Sequence, residues 1–280
     1  MSHLSLLLSP RILGFRNALR DSSPGARRRT FIAALAGLLF WALMFGLSAR
    51  VLLYFQSVEV IGDILAHHLL AMVLLTFFSL LVFSHIITAL SNLYLSRDLE
   101  LCHTTPVSIE EVFLSRFVLT VMDSSWMVVI FGLPVLMAYA YVYRPGPGYY
   151  LSLLHMGPAM VMIAGGIGIL ITMVMVSIFP ARRTRDILML LSIFAVVALY
   201  FLFRFLRPER LVDPDAFFSV MQYIGALKAP DSPYLPSHWV TSVLWDQLSP
   251  SAGSSALYDN LLVWSTAAAV LVVNVWVAEA

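Results

Sequence analysis

Long apolar stretches alternate with short polar ones along this chain, and each apolar stretch has the length of a membrane crossing. They occupy about 30–54, 65–95, 112–142, 151–179, 186–206 and 257–278, and a helix needs about 20 apolar residues to cross the hydrocarbon core. The pattern predicts an all-α polytopic helical membrane protein with six transmembrane helices. Ahead of the first span, Leu4, Leu8, Ile12, Phe15 and Leu19 recur in steps of three and four, while Arg11, Arg16 and Arg20 can face headgroups. That spacing predicts a basic amphipathic elbow helix within residues 1–29, lying at the interface, followed by a transmembrane domain over 30–280.

The connection at 207–256 is patterned too. Asp213 before Pro214 is a helix-start signal, because Asp caps and Pro tolerates the first turn. Beyond the breakers Pro230, Pro233 and Pro236 comes a stretch with Trp239 and Trp245, residues favoured at headgroup level. Two short, re-entrant outer helices are expected there.

Arginine placement sets the expected orientation, since short cytoplasmic loops retain Lys and Arg. Arg11, Arg16, Arg20, Arg27, Arg28 and Arg29 precede span one; Arg97 and Arg116 flank the loop after span two, and Arg182, Arg183 and Arg185 follow span four. The other side holds Arg50, Arg144, Arg204, Arg207, Arg210 and Lys228, four of them in or beside the longer last connection, which weighs less in this rule. Both termini are therefore expected in the cytoplasm.

Composition narrows the function classes. The chain of 280 residues is 60% hydrophobic and 12% charged, with a mean hydropathy of +0.87, which excludes disorder. A single cysteine, Cys102, excludes a disulfide scaffold, and a formal net charge of +1 argues against nucleic acid as a partner. Lys228 is the only lysine and lies outside any GxxxxGK[ST] loop. If ATP drives this protein, another subunit must therefore bind it with its Mg; no cofactor in this chain and no enzymatic role are expected.

Several polar constellations are candidates for chemistry. Glu59, Asp63 and His67 share a helical face at i, i+4 and i+8, but acids at a solvated helix start explain them better than a metal does. Glu110, Glu111 and Arg116 resemble the glutamate pair and arginine of CAAX-type intramembrane proteases, with the spacing off by one residue and no later Phe-to-His element. HExxH and GxSxG are missing, so no catalytic and no metal residues are assigned. Inside the spans, His85, Asp123, Ser124 and Ser125 are the polar candidates, because ionisable groups in hydrocarbon need partners. At 1.5 Å per residue His85 and Asp123 both fall roughly 16 Å deep, which predicts that Asp123 meets His85 or neighbouring hydroxyls, or faces a polar path.

The inner connection 97–111 ends in a helix start, with Pro106 as breaker, Ser108 as cap and Glu111 three residues on. A short polar helix, a tight turn and a firmly started span suit the transfer of force from a soluble partner. The candidate coupling residues are Asp98, Glu100, Thr105, Pro106, Val107, Ser108, Glu110 and Glu111.

The stretch LELCHTTPVSIEEVFLSRF (99–117), with FPARRTRD (179–186) and SSWMVVIFGLPV (124–135), resembles ABC-2-type transporter permeases of a bacterial branch. Cys102 and His103 interrupt what is usually a run of leucines and small residues. The resemblance implies the membrane-spanning subunit of an ATP-driven exporter in the bacterial inner membrane, energised by a separate ABC ATPase subunit that docks on 97–111. It also implies a second transmembrane half, supplied by a homodimer or by a missing C-terminal half. Two other readings stand beside it: an intramembrane enzyme, or a non-transporting scaffold. The cargo is not legible.

Overall fold

The computed structural model describes residues 24–58, 61–96, 109–178, 232–249 and 256–279, with isolated helical positions at 193, 196, 197 and 200. Among the described residues the structure is helical throughout, without strands. Helix α1 (Pro24–Gln56) is followed by α2 (Gly62–Ala89), which runs into a π-helical turn at Leu90–Leu95. Helix α3 (Ile109–Met127) continues through a second π-helical turn, Val128–Gly132, into α4 (Leu133–Tyr143). Then come α5 (Pro147–Ile178), the short α6 (Pro236–Leu248) and α7 (Ala256–Glu279).

Five of these rods are long and apolar enough to cross a membrane: Arg28–Gln56, Gly62–Tyr94, Glu110–Tyr143, Pro147–Ile178 and Ala256–Ala278. They coincide with five of the six stretches expected from hydropathy. The remaining stretch, 186–206, lies outside the described residues apart from its four isolated positions, as do most of the elbow 1–29 and the outer segment 207–231.

Helices α2 and α5 form the centre. Leu70, Leu81 and Ile86 of α2 and Met156, Ile163 and Ile169 of α5 are all but inaccessible. Close approach is possible because α5 carries Gly165, Gly166 and Gly168 where it crosses its neighbours. A Cβ on Gly168 would stand 2.7 Å from His85 Cβ and 3.0 Å from the Val82 carbonyl of α2, and one on Gly166 would collide with Val270 Cγ1 of α7. Small residues at helix crossings are how apolar bundles pack without a hydrophobic driving force. Two buried tyrosines tie the layers: Tyr139 of α4 donates to the Ala66 carbonyl of α2 at 2.8 Å, and Tyr149 of α5 to the Leu136 carbonyl of α4 at 2.9 Å.

The hairpin between α4 and α5 turns on Arg144, whose φ of 48° is left-handed and whose N–H closes the helix onto the Ala140 carbonyl. Pro145 and Pro147 then forbid helix continuation and restart it. Helix α1 is peripheral: Phe31, Leu38, Leu39, Leu43 and Leu47 are each more than half exposed. Such an apolar outer face is unfavourable in water and ordinary in lipid.

Candidate functional site: a polar seam between α2 and α3

Hydroxyl, amide and charged side chains recur every fourth residue on the facing sides of α2 and α3. Ser124 donates to Thr88 Oγ1 at 3.0 Å, and Thr88 passes its own hydrogen to the Ser84 carbonyl at 2.8 Å. One turn on, the Asn92 amide reaches both Thr120 Oγ1 and Asp123 Oδ2, each at 3.3 Å. One turn further, Arg116 Nη1 donates to Ser96 Oγ at 3.3 Å. The pairs 88–124, 92–120 and 96–116 step by four on both sides: on α3 this is the i, i+4 face of an α-helix, while opposite it Thr88 lies at the end of α2, Asn92 lies in the π-helical turn and Ser96 follows it. Thr120 and Ser124 are fully buried and Arg116 nearly so, so the seam is a set of satisfied polar groups inside an otherwise apolar bundle. The π-helical turn Leu90–Leu95 lies across it; π-turns frequently mark functional sites because they break the regular register.

Asp123 and His85 do not pair. Asp123 is half-buried and takes Asn92 as a partner, while His85 is turned toward α5. His85 Nδ1 donates to the Leu81 carbonyl at 2.7 Å, which leaves Nε2 as the bare acceptor. That nitrogen is buried without a hydrogen-bond partner, against the flank of α5 where Gly165 has no side chain. With 88 opposite 124 and 92 opposite 120, Asp123 stands about one turn from the level of His85, so the depth arithmetic missed the level as well as the face. Ser125 does not face the seam; it donates back to the Val121 carbonyl.

Of the candidate coupling residues, Asp98, Glu100, Thr105, Pro106, Val107 and Ser108 lie outside the described residues, as does the expected Ser108 cap. Glu110 and Glu111 occupy the first turn of α3, Glu110 exposed and Glu111 half-buried, where acids complement the helix dipole. Glu59 is also outside the described residues. Asp63 accepts from the Tyr143 hydroxyl at 3.1 Å, and His67 packs edge-on to Trp245. Among the described residues no three His, Cys, Asp or Glu side chains gather as metal ligands would.

The sequence reading missed Thr88, Asn92, Ser96 and Thr120, although the run Ser84, Thr88, Asn92, Ser96 and its counterpart Arg116, Thr120, Ser124 are spaced by four. It also missed Asn274 of α7, a lone amide in an apolar run, whose Nδ2 donates to the Gly166 carbonyl at 3.1 Å and to the Val270 carbonyl at 2.7 Å.

Compared with known proteins, residues 23–280 match the profile of a family described as "Putative ATP-binding cassette". No curated protein matches the chain, and no solved structure does. The family match overturns the resemblance to ABC-2-type permeases, and with it the reading as a permease subunit energised by a separate ABC ATPase subunit. It equally corrects the expectation of no enzymatic role and of no ATP or Mg in this chain, because ATP enters the family's own description. The physical reason is plain in each case. A four-residue match such as TPVS (105–108) in an apolar chain arises readily by chance. Absence of GxxxxGK[ST] excludes one phosphate cradle only, whereas helix N-termini and arginine forks hold phosphates as well.

Proposed function

Since the chain belongs to this ATP-binding cassette family, we propose that it is a membrane-embedded protein whose helical bundle changes packing in response to ATP. One observation carries the reading: the match over 23–280 falls on the membrane-length helices themselves. The family's link to ATP therefore attaches to the bundle. The seam between α2 and α3 is the element we assign to the change, since side-chain hydrogen bonds across a membrane bundle are individually weak, about 0.6 kcal/mol each. A set of such bonds can exchange partners without unfolding the helices that carry them.

In this proposal the sixth span is 186–206, both termini are cytoplasmic, and the protein sits in a bacterial inner membrane. The elbow 1–29 lies on the inner surface ahead of the domain 30–280, and the outer segment 207–256 caps the far side. The loop 97–111, with Glu110 and Glu111 at its end, receives the ATP-linked movement. Arg28 and Arg29, both exposed at the start of α1, supply guanidinium groups of the kind that hold phosphates.

The test is limited proteolysis of the full chain in native membrane vesicles with and without ATP and Mg. Anything that binds or loads the native state preferentially shifts its opening equilibrium. The expected result is a cleavage pattern near 97–111 that changes with ATP–Mg and not with AMP. An identical pattern under all three conditions would exclude the proposal.

A further inference from the structure

A cavity of about 600 Å³ lies between α2, α4, α5 and α6, bounded by the π-helical turn Val128–Gly132. Its walls are carbon: Phe77, Leu133 and Met137 line it and are half-buried, with Leu136, Met156 and Leu244 packed behind them. Of the two lining hydroxyls, that of Ser125 is already bonded to the Val121 carbonyl and the other belongs to Tyr150, which is 46% exposed. A buried water needs two to four polar partners, so such a cavity does not hold water. Left empty, its walls would lose the dispersion contacts that packed interiors make. The contents must therefore be apolar, and the volume is within the roughly 300–1,000 Å³ of ordinary ligand pockets.

The opening indicates where those contents come from. Val129, Tyr150 and Leu154 line the same cavity and are 56%, 46% and 73% exposed. They lie on rods long and apolar enough to cross a membrane, so the mouth gives onto the surroundings of the bundle at the level of the rods and not onto a loop. On the membrane-embedded reading proposed above, on which this inference rests, the medium at that mouth is lipid hydrocarbon. We infer that the cavity is a lateral binding site for one acyl chain of a membrane phospholipid, entering between α4 and α5 with its headgroup left outside.

Gly157 supplies the means of testing this. It lines the cavity, and a Cβ added there would meet nothing within 4 Å. A large side chain at 157 would therefore occupy the space of the acyl chain, and replacing a helical glycine favours the helix. The full chain is reconstituted in phosphatidylcholine vesicles containing a trace of phosphatidylcholine with a mid-chain diazirine. After illumination, the sites of carbon insertion are mapped by peptide mass analysis.

Insertion is expected at Phe77, Leu133 or Met137, which line the cavity and are half-buried, as well as at Leu38 and Leu43 on the outer face of α1. Gly157→Phe should lower labelling of the three cavity residues by about tenfold with α1 labelling unchanged, whereas Gly157→Ala should leave both. If α1 is labelled and the cavity residues are not, protein side chains of this chain or a second copy fill the space, and the inference is wrong. Cavity labelling that Gly157→Phe leaves unchanged is equally fatal to it. Absence of labelling on α1 as well would instead overturn the membrane-embedded reading itself.

Discussion

Asn274 of α7 donates its amide to the Gly166 carbonyl of α5 at 3.1 Å, at a crossing where a Cβ on Gly166 would itself stand 3.1 Å from that amide nitrogen. The hydrogen bond and the missing side chain are one arrangement: α7 comes close enough to bond only because residue 166 has nothing to keep it away.

Gly166→Ala is therefore expected to lower stability by about 1–3 kcal/mol, the cost of forcing a methyl group into a packed interior. Gly46→Ala on α1, where an added Cβ meets nothing within 4 Å, should be neutral or stabilising by up to about 1 kcal/mol. Thermal unfolding in mild detergent reads the difference. Equal midpoints for the two variants would show that α5 and α7 are not in close contact.

Asp123 should behave as an acceptor for Asn92. Asp123→Asn keeps a carbonyl oxygen in place and is expected to cost little, while Asp123→Leu removes the acceptor and should cost about 1 kcal/mol. A double-mutant cycle with Asn92→Ala and Asp123→Ala should give a coupling of about 0.5 kcal/mol or more. Additive effects would remove the contact from the seam.

Tyr139→Phe deletes the hydroxyl bonded to the Ala66 carbonyl of α2, a carbonyl that sits within a helix. The expected loss is about 1 kcal/mol. Tyr139→Ala also vacates a fully buried ring and should cost about 3–5 kcal/mol. The ratio of the two midpoint shifts checks the assignment; similar shifts would mean that the ring packs against nothing.

The proposed orientation is tested by Cys102, the single cysteine. In inverted vesicles a membrane-impermeant maleimide should modify it, and in intact cells it should not. Modification in intact cells would place 97–111 on the outer side and invert the arginine argument.

What the sequence made legible follows from how each feature is encoded. Span lengths are written in runs of apolar residues, and the rods around Leu70, Met156 and Val263 appear where hydropathy put them. Azimuth is a different matter. Hydrophobic residues surround α2 and α5 on all sides, so periodicity does not tell which face His85 shares with which neighbour. Gly165 and Gly168 decide it by letting α5 approach, and the level estimate for His85 and Asp123 contained no such term. The seam was written in plain view as a step of four from Ser84 to Ser96. It was obscured because hydroxyls inside apolar runs bond back to their own helix as readily as across to another, as Thr76 and Ser79 do. The link to ATP is the least legible, because a lysine-bearing phosphate loop is its short signature and this chain has its one lysine at Lys228, outside any such loop.

The most direct measurement follows the seam itself. With Cys102→Ser as background, Thr88→Cys and Ser124→Cys place two thiols where the hydroxyls now stand 3.0 Å apart. Disulfide formation under mild oxidation in native membrane vesicles then reports whether α2 and α3 remain in register. Bundle packing that responds to ATP predicts ready cross-linking without nucleotide and a yield altered by about fivefold or more with ATP and Mg, the lower end of usual coupling energies. A yield that is the same with and without ATP–Mg would contradict it.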